Sequence, residues 1–444
     1  MPNQAFNNVF MPSDLNGTGV WRGTFAINTL WAQGPQTGIN NTVLCSIVKD
    51  KDFYEPLNMF MVQRLVSKAQ ERLYNGLIVP FSNMMSFWTV YNIDDAMHYN
   101  DIVHYNRGRC AYANDETQDQ IRRMLLNSDF VLTTTDYIKN YYNRVYGVPL
   151  ENIICIPNYL PKWWIGGMYD KNAAVENFRK NRQKLRIGII SSLSHYNIEK
   201  VLEDKDGNVV RKVKDKNGND KFINEKNQEV KEEDCHIAKD DLDLVLNTIE
   251  KTVDDFQWII FGYVPDQLKK YVEQKKILIH PGVSILLYPK VLESLKLNAV
   301  VAPVIDCEFN RCKSNIKWLE CCAEGIPLFA SDIYPYQRCV PESRRFKDAT
   351  DLYNKLMKFK SISAHVFEDI IESQWNWINT RHKECGIESP NWWLEDNMKP
   401  WIRLFSMRKK PKLLSLAKFI EFKNKKNNRE TLFKDEVNEI FVYK

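Results

Sequence analysis

The chain has 444 residues, of which 44% are hydrophobic and 12% aromatic, and its formal net charge is +5. This length exceeds what one ordinary core fills, so we expect two domains of roughly 150–200 residues each. The mild net charge excludes a polycation that acts through its whole surface, but it allows a local basic patch. No secretory signal follows Met1 and no apolar run reaches the length of a membrane span, which favours a cytoplasmic protein.

The cysteines and histidines predict reduced thiols and no metal centre. Ten cysteines are present without a Cys-x-x-Cys pair, and a bridge between the adjacent Cys321 and Cys322 would be strained. The seven histidines are scattered and none accompanies a cysteine pair, so a zinc site is not expected. Reduced thiols are typical of the cytosol.

Short apolar strands alternate with helical segments in the first part of the chain. A helix is expected from about Trp21 to Gln33. Strands that alternate with helices favour a parallel sheet covered on both faces, so we predict a Rossmann-like first domain over residues 1–180. The predicted strands are Asn8–Pro12, Thr42–Val48, Leu77–Pro80, Thr89–Ile93, Phe130–Thr134 and Ile153–Pro157.

A second α/β series predicts another Rossmann-like domain over residues 185–345, with a helix near Asp241–Thr252. An insertion at 197–239 interrupts it, and Asp-Gly-Asn and Asn-Gly-Asn turns predict a small antiparallel meander there. The meander is either a solvated decoration or an acceptor-binding or oligomerising flap. The predicted strands of the second domain are Leu185–Ser191, Trp258–Phe261, Ile277–His280, Ala299–Pro303 and Pro327–Ala330.

The remaining residues, 346–444, are predicted to form a helical region with a basic tail. Ten Lys or Arg residues and one Glu lie between Arg403 and Arg429, interleaved with apolar and aromatic residues. Such a charge run is either a solvated helix face or a surface for a phosphate-rich polymer, such as DNA, or an anionic lipid.

Two loops of the first domain carry candidate site residues. Gly17 and Gly19 lie between the first strand and first helix, where backbone N–H groups can approach an anion, although the third glycine of the dinucleotide fingerprint is missing. Asp94, Asp95 and His98 follow a strand at the sheet edge where α/β ligand sites form. They are candidates for acid/base catalysis, for orienting sugar hydroxyls or for holding a metal. The alternative to a functional role is that they cap a helix and supply acidic residues to its first turn.

The second domain carries two further candidate segments. Ser192 and His195 follow its first strand, where hydroxyl and imidazole groups can meet a phosphate.

The stronger segment is the predicted helix that begins near Ser314 and Asn315. Lys313 and Lys317 share one face of this helix, and Glu320 lies one turn further on, suited to accept hydrogen bonds from two adjacent hydroxyls. The alternative is an ordinary surface helix with a Lys–Glu pair.

The segment Phe309–Ser331 resembles the nucleotide-sugar signature of GT-B glycosyltransferases, in the large retaining group 1 that includes family four. The similarity is greatest to a branch common in bacteria and bacteriophages, and it extends in order from about residue 8 to 345. The other matching segments are Gly17–Arg22, Asp94-Asp95, Ser128–Thr135, Pro157-Asn158, Ser192–His195 and Asp241-Leu242.

The resemblance implies two domains that face a cleft, and retaining, metal-independent transfer from a nucleoside-diphosphate sugar, with uracil as the favoured base. Glu320 would contact the donor ribose. Asp94, Asp95 and His98 would orient the acceptor or relay its proton. The predicted diphosphate and donor contacts are Gly17, Gly19, Ser192, His195, Lys313, Ser314, Asn315 and Lys317, and the predicted acceptor contacts are Arg22, Tyr334 and Tyr336.

The sequence departs from the family pattern at one acid. Cys312 stands eight residues before Glu320, where the usual Glu-x7-Glu pair has its first glutamate, and Glu308 lies four residues too early to replace it simply.

Three functions therefore stay open. The first two are transfer onto a hydroxylated base of phage DNA, in a host cytoplasm, and transfer onto a surface or lipid-linked glycan. The third is a non-catalytic nucleotide-sugar-fold binding protein, and the sequence predicts no cofactor for any of them.

Overall fold

The first domain is built on a six-stranded parallel sheet, in which the first strand of the chain lies between the second and the third and the others follow in chain order. This computed structural model describes residues 6–13, 20–32, 39–43, 57–64, 68–106, 109, 112, 114–164 and 169–408. The strands are β1 Phe6–Met11, β2 Ile39–Val43, β3 Leu57–Gln63, β4 Trp88–Asn92, β5 Phe130–Thr133 and β6 Ile153–Cys155. The helices are α1 Phe25–Ala32, α2 Lys68–Leu73, α3 Val79–Met85, α4 Asp115–Asn127, α5 Asp136–Tyr146 and α6 Lys171–Lys180, with π-helical turns at Val20–Thr24 and Tyr74–Ile78.

One predicted strand of this domain is wrong and another was missed. Leu77–Pro80 lies in a continuous helical stretch, in which Tyr74, Ile78 and Ser82 are buried at four-residue spacing. Pro80 is the second residue of α3 and directly follows the π-helical turn Tyr74–Ile78. The sheet position is taken by β3, whose seven residues are all buried.

The second domain has a six-stranded parallel sheet in the order β14-β13-β7-β15-β16-β17, and the predicted doubly wound α/β class is confirmed for both sheets. Its core strand β7 pairs in parallel with β13 and β15. The strands are β7 Arg186–Ser191, β13 Gln257–Gly262, β14 Ile277–His280, β15 Ala299–Ala302, β16 Leu328–Ser331 and β17 Arg345–Phe346. The helices are α7 Leu246–Thr252, α8 Asp266–Glu273, α9 Tyr288–Ser294, α10 Glu308–Arg311 and α11 Ile316–Ala323.

The insertion forms the predicted antiparallel meander, in the strand order β11-β10-β9-β8-β12. Its Asp-Gly-Asn and Asn-Gly-Asn turns place Gly207 and Gly218 at positive φ, which glycine adopts without a steric cost. The strands are β8 Leu202–Glu203, β9 Val209–Lys214, β10 Asp220–Asn224, β11 Glu229–Val230 and β12 His236–Ile237.

The C-terminal region is helical as expected, but it also contains a hairpin. Its last helix returns to the first domain, where the Asn8 side-chain amide donates to the Phe405 carbonyl at 2.8 Å. The elements are α12 Ala349–Ser361, α13 Ala364–Ile378, the hairpin strands β18 His382–Glu384 and β19 Ile387–Ser389, and α14 Lys399–Phe405. Within the described ranges, no helix combines the length and apolar character needed to span a membrane. Most of the basic tail, from residue 409 onward, lies outside those ranges.

Candidate functional site

A cavity of about 230 Å³ lies between the two domains, at the carboxyl ends of both sheets. Asp94, Asp95 and Asn158 reach it from the first domain. The second domain contributes most of the wall, through the loops that follow β7 and β15 and the start of α11. The polar or charged residues on that side are Ser191, His195, Asn310, Lys313, Ser314, Lys317 and Tyr336. The fold thus gathers residues that are far apart in the sequence.

The start of α11 presents positive charge to this cavity. Asn315 is the N-cap. Its side chain makes no capping hydrogen bond, and its carbonyl accepts from the Trp318 and Leu319 N–H groups at 2.9 and 3.2 Å. Lys313 and Lys317 both line the cavity, but Lys313 precedes the N-cap and lies outside α11, so the two do not share a helix face. The Ser314 hydroxyl accepts from the Asn158 side-chain amide at 2.9 Å, which joins the two domains at this point. The helix end therefore suits an anion.

Glu320 lies behind Lys317 and is only 4% exposed. One of its oxygens accepts hydrogen bonds from the Lys317 ammonium at 2.6 Å and from the Tyr288 hydroxyl at 3.0 Å. The Lys317 ammonium also donates to the Tyr288 oxygen at 3.0 Å. Burial lowers the pKa of Lys317, but the Glu320 carboxylate more than offsets this, and the pKa is raised well above its ordinary value. In this structure Glu320 fixes Lys317 in the cavity wall, and the predicted ribose contact stays a prediction.

His195 lines the cavity close to the two lysines. Its Nδ1 lies 2.6 Å from an Asp241 carboxylate oxygen. Burial and the nearby Lys313 lower the pKa of His195, while the Asp241 contact opposes that shift. The structure does not bring Ser192 into the same wall, because this residue is exposed and its hydroxyl pairs with Ser194 at 2.7 Å.

Across the cavity, Arg64 holds both predicted carboxylates. Its guanidinium donates to Asp94 at 2.9 Å and forms a short contact with Asp95. Burial raises the pKa of Asp94, the Arg64 charge lowers it, and the Asp95 charge raises it again. His98 turns away from this pair. Its Nδ1 lies 3.8 Å from an Asp101 carboxylate oxygen, and the residues that line the cavity do not include it.

The predicted acceptor residues lie in different environments. Arg22 is 1% exposed, and its guanidinium donates to Asn92, Asn158 and two backbone carbonyls at 3.0–3.3 Å. The structure shows it joining the ends of several strands, and the predicted acceptor contact stays a prediction. Tyr336 lines the cavity, whereas Tyr334 lines an adjoining recess together with Asn315. Gly17 and Gly19 lie outside the described residues.

The segment around Cys312 packs against the first domain. Cys312 is fully buried and joins the apolar core of that domain. Burial raises the pKa of its thiol, so it stays protonated at neutral pH. Glu308 accepts a hydrogen bond from Tyr137 at 2.7 Å and pairs with Arg144, and both partners are on α5 of the first domain. Neither residue therefore supplies a free carboxylate to the cavity.

The insertion also contacts the first domain. His104 pairs with Glu203, and Arg109 lies 3.2 Å from Glu225. Both contacts come from the segment that follows Asp94 and Asp95. The meander therefore connects the two domains beside the cavity and is not a decoration that projects only into solvent.

The prediction of reduced thiols is wrong for one pair. Cys155 at the end of β6 and Cys385 in the C-terminal hairpin are joined as a disulfide, because the fold brings their sulfur atoms together across 230 residues.

Asp136 lies beside them. This is the one group of three His, Cys, Asp or Glu side chains in the described ranges with atoms close enough for a metal ion. The six other described cysteines are free.

Sequence reasoning missed Arg64, Tyr288 and the role of Asp241. Arg64 follows β3 directly, so overlooking that strand also hid a charged residue at its carboxyl end. Tyr288 begins α9 after a run of apolar residues, and nothing local distinguishes it from a core tyrosine. Asp241 belongs to a quoted segment, but the 45 residues between it and His195 gave no sign that the two side chains meet.

No protein-family model matches the sequence, and no curated protein is significantly similar to it. Solved structures do resemble it. A glycosyltransferase from Rickettsia africae ESF-5 has a TM-score of 0.53 and 11% identity, with 90% of this chain and 98% of that chain covered. WaaG, a glycosyltransferase involved in lipopolysaccharide biosynthesis, has a TM-score of 0.50 and 9% identity over 90% and 100% of the two chains. At these identities the likeness concerns the fold, and the chain has the GT-B fold of two Rossmann-like domains.

Proposed function

We propose that the protein transfers a sugar from a nucleoside-diphosphate sugar, most simply a UDP-sugar, to a hydroxyl acceptor. The observation that carries this proposal is one cavity with opposite charges on its two sides. Lys313, Lys317 and the start of α11 form a cationic wall, and Asp94 and Asp95 lie across from it. The cationic wall suits a diphosphate, and the carboxylates suit an acceptor hydroxyl.

The chemistry follows from where charge develops. The bond between the sugar C1 and the diphosphate oxygen breaks, and C1 forms a bond to the acceptor oxygen. Negative charge grows on the leaving diphosphate, where ammonium groups and helix N–H groups that are already in place stabilise it. The acceptor proton leaves with the second bond. We propose Asp94 as the group that receives or orients it, because Asp94 lines the cavity whereas His98 does not.

Retention of the anomeric configuration stays a prediction that rests on the family resemblance. Proton NMR of the freshly formed glycoside distinguishes the two outcomes through the anomeric coupling constant. An inverted product would remove this part of the proposal.

The acceptor proposal rests on the sequence. We propose a hydroxylated base of phage DNA, because the segment from Arg403 to Arg429 is basic and interleaved with aromatic residues. DNA binding through that segment should weaken steeply between 50 and 200 mM salt and fade when Arg408 to Lys412 are neutralised. The competing acceptor is a surface or lipid-linked glycan. Transfer onto a glycan that does not respond to salt would replace the DNA proposal.

Donor binding and turnover test the function directly. A thermal-shift screen of nucleoside-diphosphate sugars should show stabilisation of about 2.7 kcal/mol at a hundredfold the dissociation constant. Lys313→Ala should lower UDP affinity by roughly tenfold or more, because a charge-assisted contact is lost. Lys358→Ala on the exposed face of α12 is the matched control. Binding without release of nucleoside diphosphate from any donor would favour the non-catalytic protein, and no binding would refute the proposal.

A further inference from the structure

Asp241 is a buried carboxylate that connects His195 to the first domain. Its side chain is 2% exposed. One oxygen lies 2.6 Å from Nδ1 of His195. The other accepts from the Ile305 backbone N–H at 2.7 Å and from the Tyr105 hydroxyl at 3.3 Å. Tyr105 comes from the first domain, so this carboxylate receives hydrogen bonds from both sides of the cleft.

The local helix does not account for this arrangement. Asp241 opens a short helical turn whose cap is made by its neighbours, because the Asp240 side chain accepts from Leu242 N–H and the Asp243 side chain accepts from Asp240 N–H. Asp241 is therefore free of the capping role. A carboxylate buried to this degree costs free energy unless it is fully hydrogen-bonded, and here all three donors hold it in one orientation.

We propose that Asp241 is a positioning residue that fixes the tautomer of His195 beside a bound diphosphate, and that Tyr105 holds the same carboxylate from the first domain. With Nδ1–H held by Asp241, Nε2 is the ring nitrogen left for a ligand in the cavity. It accepts a hydrogen bond when His195 is neutral and donates one when His195 is protonated. This inference rests on the proposed function, since it takes the ligand to be the diphosphate of the sugar donor.

The charges around His195 predict that it gains a proton when the diphosphate binds. Burial and the two lysines lower the pKa of His195. A bound diphosphate adds negative charge to the same cavity and shifts the balance towards the imidazolium, which then donates from Nε2. The charged groups that share its surroundings are Asp241, Lys313, Lys317, Asp94 and Asp95.

Calorimetry with UDP measures this step without requiring turnover. Titrations at pH 7.5 in two buffers of different ionisation enthalpy give the number of protons taken up. Wild type should take up a substantial fraction of one proton, and His195→Gln should take up none. Asp241→Asn cannot accept from every donor around it, because its amide NH₂ must face either Ile305 N–H and Tyr105 or the histidine. It should lose about tenfold in UDP affinity and most of the proton uptake.

Two further variants separate positioning from a general structural effect. Asp243→Asn weakens the cap of the same turn without a contact to His195 and should keep wild-type proton uptake. Tyr105→Phe should lose roughly two- to threefold in affinity and keep part of the uptake, because Asp241 still holds the ring.

The failures of the two proposals are distinguishable. If wild type binds no UDP, the proposed function fails and this inference fails with it. If wild type binds UDP but Asp241→Asn matches it in affinity and proton uptake, only the positioning role is overturned. If Asp241→Asn does not fold, the comparison of wild type with His195→Gln tests the positioning role. Equal proton uptake by these two proteins would overturn it.

Discussion

Lys317 and Glu320 form a pair whose removal, singly and together, should destabilise the fold by amounts that do not add. The side chain of Glu320 is 6% exposed and that of Lys317 is 21% exposed, so water solvates them little. Each charge is therefore stabilised by the other and by the Tyr288 hydroxyl. Breaking such a pair from one side leaves a charge buried without its partner, which costs more than the pair itself contributes. A double-mutant cycle can therefore measure the pair directly.

Lys317→Met keeps most of the side-chain volume and should destabilise the fold by about 3 kcal/mol, because the Glu320 carboxylate then retains only one donor among its described contacts. Glu320→Gln should cost about 1 kcal/mol, since the more exposed Lys317 keeps the Tyr288 oxygen and some contact with water. The double variant should lie within about 2 kcal/mol of wild type, which gives a coupling energy of about 2 kcal/mol.

Urea unfolding of the four proteins at pH 7 provides the measurement. The pKa of Lys317 is raised in the folded state, so the stability linked to its proton is fully present below the unfolded value of about 10.4 and is lost only above it. The cycle should therefore give the same coupling at pH 6 and pH 9. Additive single effects, or a Lys317→Met variant as stable as wild type, would refute this account of the cavity wall.

Three further predictions concern other charged contacts. Arg64→Met removes the cation that lowers the pKa of Asp94, so the acid limb of the pH profile of kcat/KM should move to higher pH. An unmoved limb would argue against Asp94 in the proton step. Arg109→Glu and Glu225→Arg should each lower the free energy of unfolding in urea by up to about 1 kcal/mol, and the double variant should recover the wild-type value. No recovery in the double variant would contradict docking of the insertion on the first domain. The pKa of Glu324 is raised to about 8, mainly by burial, so its stabilising protonation is present at low pH and is lost as pH rises through 8. Between pH 6 and pH 9, wild type should therefore lose roughly 2–3 kcal/mol of stability in urea unfolding relative to Glu324→Gln, and a constant difference would contradict the raised pKa.

The alternation of strands and helices was predictable because each buried parallel strand is a short apolar run bounded by polar turns. Most predicted strands of both sheets are present within one to three residues. The failure at Leu77–Pro80 shows the limit of this reasoning. Four apolar residues fit a buried strand or a helix equally well, and only the burial of Tyr74 and Ile78 on one side identifies the helix.

The candidate site was predictable where its residues are close in sequence. The lysines around the start of α11 form a local pattern, and the structure places them in one wall. Contacts between distant segments were not predictable from a pattern. The ion pair of Arg64 with Asp95 spans 31 residues, and the contact of His195 with Asp241 spans 46. The disulfide of Cys155 likewise required the C-terminal hairpin to fold against the first domain.

The substitution at position 312 can be explained by the contacts of α10 with the first domain. Glu308 bonds to Tyr137 and Arg144 on one side of α10, and Cys312 fills the apolar core of that domain just beyond. An acid at 312 would be buried among apolar side chains, where a carboxylate is strongly disfavoured. The α10 segment therefore joins the domains and cannot offer a carboxylate to the sugar. Since Asp94 and Asp95 are the described carboxylates that line the cavity, any acid that contacts the sugar must come from that pair or from residues outside the described ranges.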